Sequence, residues 1–332
     1  MAIQTNDPTG ATPRIFTLRA LVNNAGIGLA LLALIAFFSL STEFFLTPNN
    51  ITNILTQITI NLILAVGMTF VILIGGIDLS VGSVMAFAAV VAGKAITIPG
   101  MGDTELILLA CVAGLATGLI CGLMNGVISA YWGLPSFIIT LGMLNIARGA
   151  ALQVSEAKTI YSFPFAFEEF GSALIWGIPV VFLVALVITL IAWFVLNRTV
   201  FGRLLYGIGN NEEAVRLAGH PVFWYKVVAF TISGLAAGIA AIIYMARLNI
   251  SSPIAGIGFE LNAIAAVIIG GTSLAGGRGS VIGTLLGAFI IGVLANGLIL
   301  MGLSDFMRQM ITGVVIIIAV ILDYYRAKYS AS

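Results

Sequence analysis

The chain has 332 residues, 60% of them hydrophobic and only 8% charged, with a mean hydropathy of +1.15. A soluble domain carries about 25% charged residues, and a water-facing surface stripped of them would be one large apolar patch, so an ordinary soluble protein is excluded and lipid is the expected solvent. The 14 basic and 13 acidic residues nearly cancel, which offers no electrostatic footprint for nucleic acid.

In chain order, a polar segment (1–19) carries Arg14 and Arg19 and leads into the apolar run 25–40. This order imitates a signal peptide, but Phe44-Phe45-Leu46 stand where small cleavage-site residues belong, so an uncleaved first span is expected. A helical span needs about 20 mainly apolar residues. Ten candidates follow that rule: 20–41, 51–74, 79–98, 105–129, 135–153, 174–197, 226–247, 258–275, 279–302 and 307–324. The eighth is short and glycine-rich, which leaves nine spans plus a re-entrant segment open. The runs are continuous rather than alternating, which disfavours a β-barrel. The predicted fold is all-α, a polytopic membrane helix bundle, with 1–332 forming one transmembrane domain.

With the N-terminus inside, nine Lys and Arg residues fall on inside segments and five on outside ones. The positive-inside rule then puts both termini in the cytoplasm. Two connections are long: 154–171, outside, and 198–225, inside, with the densest charge of the chain.

An internal repeat is legible. Gly76-Ile77-Asp78-Leu79-Ser80 returns as Gly258-Phe259-Glu260-Leu261-Asn262, Asn125-Gly126 as Asn296-Gly297, and Gly133-Leu134-Pro135-Ser136-Phe137 as Gly302-Leu303-Ser304-Asp305-Phe306. The matches pair spans two to five with spans seven to ten. An offset of five spans makes the halves antiparallel, as in the inverted repeats of transporters.

Three constellations carry function. In Gly75-Gly76-Ile77-Asp78-Leu79-Ser80, glycines flank an acid between two apolar spans. This reads either as a broken helix lining a hydrophilic pathway or as a capped turn. In Asn210-Asn211-Glu212-Glu213-Ala214-Val215-Arg216-Leu217-Ala218-Gly219, Asn210 and Glu213 have capping-box spacing and Gly219 suits a left-handed C-cap. Two turns are too few to stand alone, so a partner or the bundle holds this helix. Third, Gly270-Gly271-Thr272-Ser273 through Gly276-Gly277-Arg278-Gly279 imitates a phosphate loop but lacks its lysine and its strand. Close backbone approach between helices is the expected use of these glycines.

Asn61, Asn125, Asn145, Asn262 and Asn296 are polar groups within apolar runs, available as interhelical glue or to a polyol. With Asp78, Ser80 and Glu260, the residues Asn61, Asn125, Asn262 and Asn296 form the candidate translocation path. Cys111 and Cys121 lack CxxC spacing, and His220 is the one histidine, so no metal site is expected.

These segments resemble the permease subunits of bacterial ABC sugar importers of the ribose, xylose and galactose type, most of all the ribose permeases. The resemblance runs from about Phe44 to Asp323. It is carried by Val66-Gly67-Met68-Thr69 with Gly76 to Ser83, by Gly209 to Gly219, and by Ala263 to Val267 with Gly270 to Gly277. It implies a permease dimer, two cytoplasmic ATPases that hold the ATP and Mg, a periplasmic sugar-binding protein, and no cofactor or bond chemistry in this chain. Asn210, Glu212, Glu213, Ala214, Arg216 and Gly219 then belong to the coupling helix that docks on the ATPase. The motif here is Glu-Ala-Val where related permeases often have Glu-Ala-Ala. The alternatives are an ion-coupled secondary transporter of a small polar solute and a non-transporting membrane scaffold.

Overall fold

A computed structural model describes the backbone of residues 14–330 and the side chains of residues 26–321. Residues 1–13 of the polar tail lie outside the described residues, and the side chains of Arg14, Arg19, Arg326 and Lys328 outside the described side chains. The first helix, α1 (Arg14–Ser41), begins before the expected end of that tail.

The centre of the bundle is α2 (Pro48–Leu73). Thr47 caps it by accepting from Asn50 N–H, with Pro48 in the first turn, where its missing N–H costs nothing. Gly75, at φ 76°, ends it. Gly75 N–H returns to Ile72 C=O and Gly76 N–H to Val71 C=O, both at 2.9 Å, which satisfies carbonyls the last turn leaves free. Residues 58–73 are buried apart from Asn61, as expected of a helix that is apolar all round and faces protein rather than lipid.

Against α2 pack α7 (Val180–Arg198), α9 (Val222–Leu248), α10 (Phe259–Ile269) and α11 (Val281–Leu300); α3 (Val81–Ile96) and α4 (Asp103–Trp132) pack on α9, α5 (Ser136–Ser155) on α3, and α12 (Asp305–Ser330) on α10. The most extensive helix pairing is α4 with α9. A Cβ on Gly118 would overlap the Gly234 carbonyl, one on Gly234 the Gly118 carbonyl, and one on Gly122 the Phe230 carbonyl. Backbones in this seam touch directly, the membrane substitute for a hydrophobic driving force.

Among the described residues, six helices are long and apolar enough to cross a membrane: α2, α4, α5, α7, α9 and α11. The described part of α1 and the helices α3 and α10 are shorter. Six of the about ten expected spans thus meet the length rule among the described residues. The eighth segment departs most. Its helix, α10, has 11 residues and rises about 17 Å, roughly half a hydrocarbon core; Gly270 and Gly271 then turn the chain.

The two repeat halves share one plan. In each, a long helix (α2, α9) ends in a non-helical stretch (74–80, 249–258) and a short helix follows (α3, α10). The short helices begin side by side, since a Cβ on Gly82 would overlap the Gly256 carbonyl. They then run apart. Gly93 of α3 sits against Ser251, just past the end of α9, while Gly277, beyond α10, donates to Leu73 C=O at the end of α2. This is the opposed direction expected of an inverted repeat.

The long connections are more ordered than the sequence indicates. In 154–171, β1 (Ile160–Tyr161) pairs antiparallel with β4 (Ile250–Ser251), and α6 (Phe165–Ser172) buries Phe167. The expected sixth span starts at 180 instead of 174. Residues before it form a hairpin of β2 (Leu174–Ile175) and β3 (Ile178–Pro179), turned by Trp176 and Gly177, both at positive φ. The 198–225 connection holds α8 (Val200–Leu217), which is interrupted at Asn211, the one residue inside it with non-helical dihedrals.

Candidate functional site

The first break is the stretch 74–80. An extended backbone at membrane depth must find its hydrogen bonds outside a helix, and α5 supplies them. Ser136 Oγ accepts from Ile77 N–H at 2.9 Å, Thr140 Oγ1 accepts from Leu79 N–H at 3.1 Å, and Thr140 donates to Ile77 C=O at 3.1 Å. Asp78 is 1% exposed. Its Oδ1 accepts from Ser80 N–H at 3.0 Å and from Ser80 Oγ at 2.6 Å, and its Oδ2 accepts from Ser233 Oγ of α9 at 2.9 Å. Asn125 of α4 donates to Ser80 Oγ at 2.9 Å, and its own Oδ1 is buried without a partner. One carboxyl thus ties the break to α9, and Ser80 ties it to α4. Ser80 itself, at the start of α3, makes no side-chain capping bond. The expected cap is Asp78 bonding Ser80 rather than Ser80 bonding the helix.

The second break, 249–258, is held from the same helix. Arg148 of α5 donates from Nη1 to Pro253 C=O at 2.6 Å and to Ala255 C=O at 2.8 Å. Glu260, at the start of α10, accepts from Gly258 N–H at 3.3 Å. Each short helix therefore begins at a carboxyl, the sign that suits the positive end of a helix dipole.

The candidate path residues separate by burial. Asp78, Ser80, Asn125 and Asn296 lie inside the bundle, so as the chain stands they do not line its outer surface. Asn296 forms a reciprocal amide pair with Asn50, both bonds at 3.0 Å, joining α11 to α2 as glue. Asn61, Glu260 and Asn262 are partly exposed. Asn145 is exposed at the tenth position of the 20-residue α5, with its Nδ2 donating to Leu141 C=O in its own helix. A carboxamide facing hydrocarbon is costly, so this face is covered by something wet or polar.

In the 210–219 segment the cap sits one residue later than the spacing indicates. Asn211 has φ −159° and ψ 95°, and its Oδ1 accepts from Ala214 N–H at 3.0 Å. Glu213 pairs with Arg216 rather than closing a capping box, and Glu212 pairs with Lys226 at 2.6 Å. Asn210 turns the other way, donating to Tyr206 C=O at 2.8 Å and to Gly277 C=O at 3.1 Å. Gly219 is left-handed at φ 86°, as expected, and Gly219 N–H returns to Arg216 C=O at 3.0 Å. Val215 packs inward on Gly207, so the departure from Glu-Ala-Ala leaves the outer face unchanged. That face is Ala214, Leu217 and Ala218, with Leu217 79% exposed.

Sequence reasoning named Asn145 of α5 but gave Ser136 and Thr140 no part in the site. Ser136, Thr140 and Arg148 stand out as polar residues in an apolar run, spaced four and then eight residues apart along one helix.

The family model described as the permease component of the branched-chain amino acid transport system matches residues 50–320. The chain belongs to this permease family. The ribose import permease of Escherichia coli (strain K12) is 41% identical over 317 residues, covering 93% of this chain and 96% of that one. The D-allose transport system permease of the same organism is 40% identical, covering 88% of each chain. The L-arabinose ABC transporter permease of Azospirillum brasilense is 35% identical, covering 92% of this chain and 89% of that one. No solved structure matches the chain. The permease is therefore a multi-pass membrane transport component and not an enzyme, and it belongs to an assembly with an ATPase and a substrate-binding protein.

Proposed function

We propose that this permease is the membrane-spanning subunit of an ATP-driven, binding-protein-dependent importer of a monosaccharide, ribose or a similar sugar. It works as a homodimer in the inner membrane with both termini cytoplasmic. The observation that carries the reading is end-to-end similarity to permeases named for ribose, allose and arabinose. The family description names branched-chain amino acids instead, so an amino acid is the competing substrate class.

The mechanism is alternating access. ATP and Mg bind on the partner ATPase, whose closure moves the helix 211–219 through its exposed Ala214, Leu217 and Ala218. Sugar passes from the binding protein between two copies of the permease. Asn61, Asn145, Glu260 and Asn262, polar residues with exposure within the bundle helices, are proposed to line that route. Asp78, Ser80 and Asn125 act as the latch that holds the first break. An ion-coupled carrier requires an intramembrane site that takes up the ion, whereas both oxygens of Asp78 already accept protein donors.

The test is uptake into proteoliposomes holding the permease, its ATPase and its binding protein. Labelled D-ribose, D-allose, D-fructose and L-leucine are compared with and without ATP. ATP-dependent entry of a sugar is expected. Entry of L-leucine alone overturns the substrate class, and ion-driven entry without ATP overturns the mechanism.

A further inference from the structure

The glycine-rich loop between α10 and α11 is not a nucleotide loop, and the proposed mechanism leaves it without a role. Its turn is tight: Ser273 N–H donates to Arg278 C=O at 2.9 Å and Gly276 N–H to Ser273 C=O at 3.0 Å. Gly276 and Gly277 are both left-handed, at φ 83° and 70°, a conformation glycine adopts at no steric cost.

This turn is gripped from two sides. Gly277 N–H donates to Leu73 C=O at 2.9 Å, in the last turn of α2. Gly277 C=O accepts from Asn210 Nδ2 at 3.1 Å, and Gly279 C=O accepts from Tyr206 Oη at 3.0 Å. A Cβ on Gly209 would overlap both Leu73 C=O and Gly277 N, and one on Gly276 would lie 2.8 Å from Gly75 N. Three backbones therefore meet with no side chain between them: the end of α8 before its kink, the 276–277 turn, and the end of α2. Close-packed backbone has little compliance.

The positions of the two ends matter. Asn210 directly precedes Asn211, where the exposed helix begins. Leu73 directly precedes the break that Asp78 latches.

Resting on the reading of 211–219 as the segment that meets the ATPase, we propose that the Gly276–Gly277 turn is a relay. It carries displacement of that helix to the break at 74–80. Asn210 and Tyr206 are its positioning residues, each bonded to a carbonyl of the turn. The break is the two-arrangement element that such coupling requires.

The experiment compares Asn210→Ala, Tyr206→Phe and Leu217→Ala in nanodiscs with ATPase and binding protein, reading ATPase capture and sugar transported per ATP hydrolysed. The relay variants are expected to capture ATPase as wild type does while sugar per ATP falls about tenfold, within the usual range of coupling between sites. Leu217→Ala, a docking lesion, is expected to lose ATPase instead. Wild-type sugar per ATP in both relay variants overturns the relay. If wild type itself transports no sugar, the proposed function fails, and hydrogen exchange on the permease alone decides the relay. The amides of 75–79 are then expected to exchange about tenfold faster in Asn210→Ala and in Tyr206→Phe, the signature of a loosened local unit. Unchanged exchange at 75–79 overturns it.

Discussion

The Thr140 hydroxyl stands in for a turn of helix at Ile77, donating to the Ile77 carbonyl while accepting the Leu79 N–H, each at 3.1 Å. Thr140→Val keeps the shape and leaves both backbone groups without a partner. A buried polar group left unsatisfied costs about 1–3 kcal/mol, so the melting temperature in nanodiscs should drop. Thr140→Ser keeps the hydroxyl and should melt near wild type. Equal melting of Thr140→Val and wild type would show that water already serves these groups.

Asp78→Asn preserves size and one accepting oxygen but turns an amide toward Ser233 Oγ. Bonds to a carboxylate exceed those to a neutral amide by about 1–2 kcal/mol. The variant should assemble at normal yield and take up sugar about tenfold more slowly, a factor that corresponds to about 1.4 kcal/mol. Uptake at the wild-type rate would leave Asp78 as a replaceable cap.

At Gly219 an added Cβ meets nothing within 4 Å, so only the backbone resists substitution. Gly219→Val places a β-branched residue at φ 86°, at a cost of about 1–2 kcal/mol. It should weaken co-purification of the ATPase while the membrane helices stay folded. Gly219→Asn should retain the ATPase, because asparagine visits this region readily. Retention by both variants would place the partner elsewhere.

Gly234→Ala drives a methyl into the Gly118 carbonyl and to 2.7 Å from Gly122 Cα. Overpacking costs about 1–3 kcal/mol where side chains can yield, and more where the obstacle is backbone. The variant should aggregate on size-exclusion chromatography, while Gly142→Ala, whose Cβ meets nothing, should run as wild type. A monodisperse Gly234→Ala would mean that the α4–α9 seam opens readily.

The proposed orientation is checked with cysteines at Ser162 and Ser330 and an impermeant thiol reagent added outside spheroplasts. Ser162 is exposed in the 154–171 connection and should label. Labelling at Ser330 alone reverses the topology.

Hydropathy by itself determined that the chain is a membrane helix bundle, because a run of apolar residues needs only lipid to explain it. Local motifs likewise located the interruption at Gly75 to Ser80 and the left-handed stop at Gly219, since each depends on residues within a turn or two, and comparison of the two halves of the sequence located the repeat. Three things only the tertiary structure decided. The cap moved from Asn210 to Asn211 because Gly277 C=O, 67 residues away, takes the Asn210 amide. Asp78, Asn125 and Asn296 turned inward because Ser233, Ser80 and Asn50 meet them there. The eighth segment became a half-helix because the glycines after Ile269 pack on α11, where a Cβ on Gly270 would overlap Gly283. Each outcome depends on which backbone or side chain arrives from a distant part of the chain, and a hydropathy window does not contain that information.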